Sequence, residues 1–193
     1  MDGFERRKEQ SKESIRKAAG ELFAKFGVGK VSINDIARKA GVSQATIYNN
    51  FGSKDGLIQD YIQTVANGFF EHFREISKAN KPYVERLENL VQYVIAVVES
   101  GSGYSDVEIM SNPQYKQLMD SLLEQERALF LGFIKEGKKQ GYVNQDISDE
   151  AIEAYLEVFM QGVNANPELH ARTHHDRKLF HDLLTIMLYG LKA

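Results

Sequence analysis

The sequence has no cysteine and only three prolines in 193 residues. Without cysteine there is no disulfide framework, no thiolate metal site and no cysteine nucleophile, and the fold owes nothing to an oxidising compartment. Long hydrophobic runs are missing too. The longest, residues 93–98, falls far short of the ~20 apolar residues that cross a bilayer. The N-terminal stretch MDGFERRKEQSKES lacks the apolar segment of a secretion signal. The expected compartment is therefore the cytoplasm, with no membrane partner. Strand signals are absent as well, and the prolines and many glycines fall at the edges of helical patterns, so the expected fold is all-α. With 42% hydrophobic and 26% charged residues, the chain is long enough to bury a sizeable core as a globular protein.

Familiar catalytic signatures are also missing. There is no G-x-S-x-G elbow, no Walker loop, no G-x-G-x-x-G opening a helix after a strand, and no H-E-x-x-H. The GSG at 101–103 reads as a helix break. Glu99, Asp106, Glu108, Glu124 and Glu126 sit on polar helix faces or near breaks, as solvated carboxylates do. His170 and His174, four apart with His175 beside them, have the spacing of a helical metal pair. No cysteine or carboxylate partner is evident, so the segment reads as a solvated polar loop, and no metal, cofactor or catalytic residue is expected.

What the chain does hold is a short pair of helices around which the rest is organised, SINDIARKAGVSQATIYNNFG at residues 32–52. Ser32 and Asp35 have capping-box spacing, and Ile33, Ile36, Ala37 and Ala40 then repeat along one face. Gly41 stops that helix, Val42 is apolar inside the turn, and Ser43 caps a second helix that carries Ile47 and Phe51 inward. Three residues separate the helices, as in a helix-turn-helix, and small Ala37 permits a close crossing. Gln44, Ala45, Thr46, Tyr48, Asn49 and Asn50 are left outside with no core role. Polar side chains on the first turns of a short helix suit a reader of the major groove; the alternative is a solvated amphipathic hairpin.

The flanking residues bear on that choice. Residues 18–57 contain an Ala-Ala-x-x-Leu-Phe helix at Ala18 to Phe23, the Ile36-Ala37 and Ala40-Gly41-Val42-Ser43 hairpin, Tyr48 in the second helix, and the exit Phe51-Gly52-Ser53-Lys54-Asp55-Gly56-Leu57. This run resembles the N-terminal domain of TetR-type (TetR/AcrR) transcriptional regulators. Two positions depart from the family's pattern, Ala45 where glycine is frequent and Asn50 where histidine is. The resemblance implies a three-helix DNA-binding domain at 1–55, followed by a larger helical ligand-binding and dimerisation domain at 56–193. Charge agrees with that order: residues 1–55 hold 11 Lys/Arg against 7 Asp/Glu, a net +4, whereas residues 56–193 hold 13 against 20, a net −7. A phosphate backbone attracts the first segment and repels the second.

Along the chain, residues 1–10 read as a polar mobile arm, in which Arg6, Arg7 and Lys8 either solubilise the terminus or reach a phosphate or minor-groove edge. A first helix from about Ser11 supplies Ile15, Ala18, Ala19, Leu22, Phe23 and Phe26 to the hairpin's core. Ser53 caps a long helix that reaches from the DNA-binding part into the second domain, with Lys54 placed to hold a phosphate. Further helices are expected at 82–100, 104–111, 113–136, 148–164 and from about 176.

Base-edge contacts are expected from Gln44, Ala45 and Asn49, and phosphate contacts from Ser32, Thr46, Tyr48, Asn50 and Lys54. Phe69, Phe73, Tyr93, Tyr104, Met119, Phe133, Tyr155 and Phe159 are either pocket-lining residues for a small-molecule effector or plain core. The wide apolar stripes of the last two helices place Ile152, Leu156, Phe180, Leu183, Leu184, Met187 and Leu188 at a homodimer interface. The expected function is a DNA-binding transcriptional regulator, a repressor of a palindromic double-stranded operator released by a small apolar or amphipathic ligand. The alternatives are a small-molecule enzyme in the C-terminal helices and a ligand-independent architectural DNA-binding protein, which needs no acidic domain rich in Phe, Tyr and Met.

Overall fold

The computed structural model describes residues 3–100, 109, 112–164, 166, 168–169, 172–173 and 176–189, with the side chains at 4, 98–100, 160–161, 163–164, 177, 180 and 188–189 left undescribed. Its elements in chain order are α1 (Gly3–Phe26), α2 (Ile33–Ala40), α3 (Gln44–Phe51), α4 (Lys54–Ser77), α5 (Tyr83–Ser100), a 3₁₀ turn (Pro113–Tyr115), α6 (Lys116–Lys139), α7 (Asp149–Asn164) and α8 (Arg177–Tyr189). Among the described residues no strand occurs and no helix is long and apolar enough to cross a membrane. The expected helix at 104–111 lies outside the described residues except for Ile109, which is buried. The GSG break, Tyr104, His170, His174 and His175 lie outside them too.

The start of α1 differs from the sequence expectation. Residues 3–10 are helical, because Glu5, Arg6, Arg7, Lys8, Glu9 and Gln10 are good helix formers and the capped, packed helix behind them removes the nucleation cost. Glu9 further ties this turn to the body of α1 through Arg16, Nη1 to Oε1 2.8 Å.

The chain forms two compact units, Met1–Asn67 with Ser102–Leu118, and Gly68–Gly101 with Met119–Ala193. In the first, α1 lays Ile15, Ala18, Ala19 and Phe23 against Ile36, Ala37 and Ile47, all buried. Each such Ile or Phe side chain stabilises by about 1.5–3 kcal/mol. The first part of α4 closes this core with Leu57, Ile58, Tyr61 and Ile62, likewise buried. There α1 and α4 approach so closely that a Cβ at Gly20 would stand 2.8 Å from Tyr61 Cε2. Arg16 fixes the approach by donating from Nε and Nη2 to the Asp60 carboxylate at 2.5 and 3.2 Å. The 3₁₀ turn joins this unit as well, for buried Tyr115 donates its hydroxyl to Asp55 Oδ1 at 3.0 Å.

In the second unit, the end of α4 brings Phe69, Phe70 and Phe73 against α5 and α6, and an aliphatic cluster of Ile95, Ile134, Val143, Ile152, Leu156, Leu184 and Met187 joins α5 to α8. Among the described residues, one charged group is buried here. The Arg86 guanidinium donates to Glu136 Oε1 at 2.5 Å and Oε2 at 3.2 Å, to Lys81 O at 3.2 Å and to Ser77 O, so it caps the last carbonyl of α4 and holds the loop that follows. The Tyr83 ring stacks between Phe133 and Tyr142, with centroids 4.6 and 5.2 Å away.

Candidate nucleic-acid interface

Local sequence builds the hairpin. Ser32 Oγ accepts from Asp35 N at 3.2 Å, and Asp35 Oδ2 accepts in return from Ser32 N at 3.2 Å, a complete capping box. Hydrogen bonds from the Ser32 hydroxyl and then its backbone hold the Asp35 carboxyl below its ordinary range, so the cap stays ionised. Gly41 ends α2 at φ 68°, a left-handed conformation that suits glycine, and Val42 N returns to Ala37 O at 3.0 Å. Ser43 Oγ then accepts from Thr46 N at 3.1 Å to start α3. Two caps thus fix the angle between the helices at both sides of the turn.

On α3, Ile47 is fully buried and Phe51 half-buried, while Gln44, Ala45, Tyr48 and Asn49 are exposed along the opposite side. The three expected base readers therefore share one outward face on the first turns of the helix. Gln44 Nε2 is oriented by Asn34 Oδ1 at 3.0 Å, which steadies its amide without occupying its carbonyl oxygen.

The expected phosphate-binding set is more entangled with the protein. Ser32 Oγ lies 2.5 Å from Asp35 Oδ2, the Thr46 hydroxyl 2.8 Å from Ser43 Oγ, and Asn50 Nδ2 donates to Thr46 O at 2.9 Å. Lys54 Nζ donates to Val28 O at 3.0 Å and so ties the α1–α2 loop to the start of α4. An ammonium has three donors and a primary amide two, so Lys54 and Asn50 each retain hydrogen-bonding capacity. Ser32 has committed its only proton. Lys12, not singled out from sequence, holds its Nζ 5.8 Å from the Phe51 ring centroid; its place three residues before Ile15 on the inward stripe of α1 was the available signal.

A family profile described as "Bacterial regulatory proteins, tetR family" matches residues 15–61, which span the whole hairpin and its flanking helices. Residues 15–61 are a TetR-family DNA-binding domain. The repressor KstR2 of Rhodococcus jostii is 26% identical over 144 residues, covering 72% of this chain and 70% of that protein. The transcriptional regulator UidR of Escherichia coli K12 is 22% identical over 174 residues, 87% of either chain. Among solved structures, a TetR-family regulator from Agrobacterium tumefaciens superposes with a TM-score of 0.78 at 21% identity, covering 96% of this chain and 100% of its own. FadR of Bacillus subtilis, solved with stearoyl-CoA, gives 0.71 at 19% identity, covering 93% and 98%. These solved structures share the all-helical fold, and with its TetR-family domain this chain is a regulator rather than an enzyme.

The expected pocket residues divide. Phe69 stacks on Tyr93 at 5.5 Å and lies 6.2 Å from Phe73, which meets Phe133 at 6.4 Å and Phe130 at 4.8 Å, so four candidates form one aromatic group with rings not singled out from sequence, among them Phe70, Tyr83 and Phe130. Met119 is buried, and Phe159 packs instead on the aliphatic cluster. Tyr155 contradicts its expected inward place: it is 41% exposed, because Ile152, Leu156 and Phe159 take the inner side of α7 and leave it on the shoulder.

The expected dimer contacts need a similar correction. Ile152, Leu156, Leu184 and Met187 are buried in this unit's own aliphatic core, and Leu183 is half-buried. The side chains of Phe180 and Leu188 lie outside those described. The stripes are wide because α7 and α8 are apolar on two sides, of which the chain itself uses one. Among the described side chains of α7 and α8, Tyr155, Val158 (70% exposed) and Ile186 (65%) are the large apolar ones left open.

Proposed function

We propose that this regulator is a repressor that binds a palindromic operator as a homodimer in the cytoplasm and lets go when a small apolar or amphipathic molecule binds. Residues 1–55 supply the DNA contacts and residues 56–193 the effector site and the dimer. The observation that carries the reading is the outward face of α3, where Gln44, Ala45 and Asn49 stand exposed opposite fully buried Ile47. Those three read base edges, while Thr46, Tyr48, Asn50 and Lys54 hold phosphates, and Ser32 joins them by turning its proton away from Asp35. The open apolar surface of α7 and α8 pairs two copies, which sets the reading helices about 34 Å apart, one turn of DNA.

The aromatic group around Phe69, Phe73, Tyr93 and Phe133 yields to the effector. That a relative was solved with stearoyl-CoA supports an acyl-type or similarly amphipathic ligand for this site. Lys54 to Asn67 of α4 belong to the first unit and Gly68 to Ser77 to the second. A ligand that displaces Phe69 and Phe73 therefore acts on the helix that also carries Lys54. Coupling of this kind is typically about 1–3 kcal/mol and reciprocal, so operator weakens ligand by the factor by which ligand weakens operator.

The test is selection of bound sequences from a random duplex pool, followed by Asn49→Ala and Lys54→Ala. Asn49→Ala relaxes the preference at one base position at a cost of about 1–3 kcal/mol, whereas Lys54→Ala weakens all duplexes alike. Identical uniform losses from both would refute the assignment of base readers.

A further inference from the structure

The N-terminal turns of α1 carry a cationic face that the hairpin does not account for. From buried Ile15, counting back three, four and seven residues along α1 gives Lys12, Ser11 and Lys8, and Arg7 lies four before Ser11. On a helix these spacings fall on one side. The stripe that buries Ile15, Ala18 and Ala19 therefore continues past the end of the core as Arg7, Lys8 and Lys12, of which Arg7 and Lys8 are exposed.

Most of the acids are sorted elsewhere. Glu9 and Glu13, four apart, lie on a different side, and that side turns toward α4, since Arg16 bonds both Glu9 and Asp60; Glu5, three before Lys8, stands beside the stripe and leaves it net cationic. The cationic stripe is instead anchored beside the reading helix, because Lys12 lies over the ring of Phe51, the last residue of α3. Seven residues of helix carry the stripe about 10 Å beyond Ile15, the axial length of about three base pairs.

We propose that Arg7 and Lys8, with Lys12 at their base, grip the phosphates that flank the segment read by α3. The inference rests on the regulator reading above and adds to it a contact made by charge alone. Such a contact strengthens binding to every sequence equally and steepens the salt dependence.

Operator duplex selected with the wild-type protein, and a random duplex of the same length, are titrated with wild type, Arg7→Gln/Lys8→Gln and Arg6→Gln/Lys17→Gln from 50 to 200 mM salt. Arg6 and Lys17, eleven residues apart, share a different side of α1. The first variant flattens the log–log salt slope by about 1.8 for each protomer bound, so the wild type loses about tenfold more affinity per protomer over that range. Its preference for operator over random duplex is unchanged, and the second variant keeps the wild-type slope. An unchanged slope for Arg7→Gln/Lys8→Gln, or equal flattening by both variants, overturns the proposal while the regulator reading stands. A shifted sequence preference also overturns it, since that indicates base contact. A wild type that selects no duplex overturns the regulator reading and this inference together. All four side chains are exposed, so the variants fold, as unchanged melting curves will verify.

Discussion

Glu136→Gln isolates the buried cation of the second unit. Arg86 is only 6% exposed and bonds both Glu136 oxygens, the last carbonyl of α4 at Ser77 and the Lys81 carbonyl in the loop that follows. Removing the charge of its partner leaves a guanidinium out of water with neutral acceptors alone. Breaking a fully buried pair costs about 3–5 kcal/mol. The Glu136 side chain keeps 38% of its surface, so solvent screens part of that loss, and about 2–3 kcal/mol is expected. For a chain of this size that lowers the melting temperature by about 5–10 °C. The hydrogen bond from Arg86, more than its charge, holds the Glu136 carboxyl below its ordinary 4.5. A depressed carboxylate pKa stabilises the fold above the unfolded value and ceases to do so as pH falls through the folded one. The gap between wild type and Glu136→Gln, read by circular dichroism melts, is therefore full at pH 7 and closes as pH drops below about 4.5. Equal melting at pH 7, or a gap that persists undiminished in acid, would refute the reasoning. Replacing the pair together, Arg86→Met with Glu136→Leu, recovers most of the loss, since apolar side chains of similar volume need no partner.

Gly137→Ala places a Cβ 2.4 Å from Tyr83 Cζ and Oη and 2.9 Å from Val143 Cγ2; with the Tyr83 ring held in its stack, overpacking costs about 1–3 kcal/mol, visible as a lower denaturant midpoint at unchanged slope. Burial pushes the Tyr83 and Tyr115 phenols up to about 12, Asp55 adding to the second. Raised pKa values give stability that is complete below the unfolded value of 10.0 and lost as pH climbs toward 12, so Tyr115→Phe removes part of the alkaline unfolding seen by fluorescence in that window. Val158→Glu or Ile186→Glu, on the open side of α7 and α8, should sediment as monomers with native melting of the monomer fold; a wild type monomeric at micromolar concentration ends the dimer reading. Leu184→Arg, by contrast, unfolds the second unit, because Leu184 is core.

The hairpin was legible from sequence because its information is local. Ser32, Gly41 and Ser43 act on residues within four positions of themselves, and Ile33, Ile36 and Ile47 have one core to enter. The length of α4 followed equally from an unbroken stripe between Ser53 and Pro82. The two-sided helices were not legible in the same way. Periodicity shows that Ile152, Tyr155, Leu156 and Val158 make α7 apolar around much of its circumference, yet only the neighbours decide which side the chain keeps for itself. The same holds for Arg86: a charge four residues past a proline reads as solvated until Ser77, Lys81 and Glu136 converge on it. Residues 3–10 looked like an arm because no apolar residue recurs there, and helix formation by propensity on an existing helix leaves no hydrophobic signature.

Asp55 and Tyr115 stand sixty positions apart in the chain, and the unit that reads DNA is assembled from two separate stretches of it. Anyone exchanging effector domains between relatives at a single junction after residue 55 would import a foreign side chain opposite Asp55. Hybrids built that way should inherit a mismatched first turn of α4 unless position 115 travels with the recipient, so the practical graft for a biosensor has three junctions rather than one.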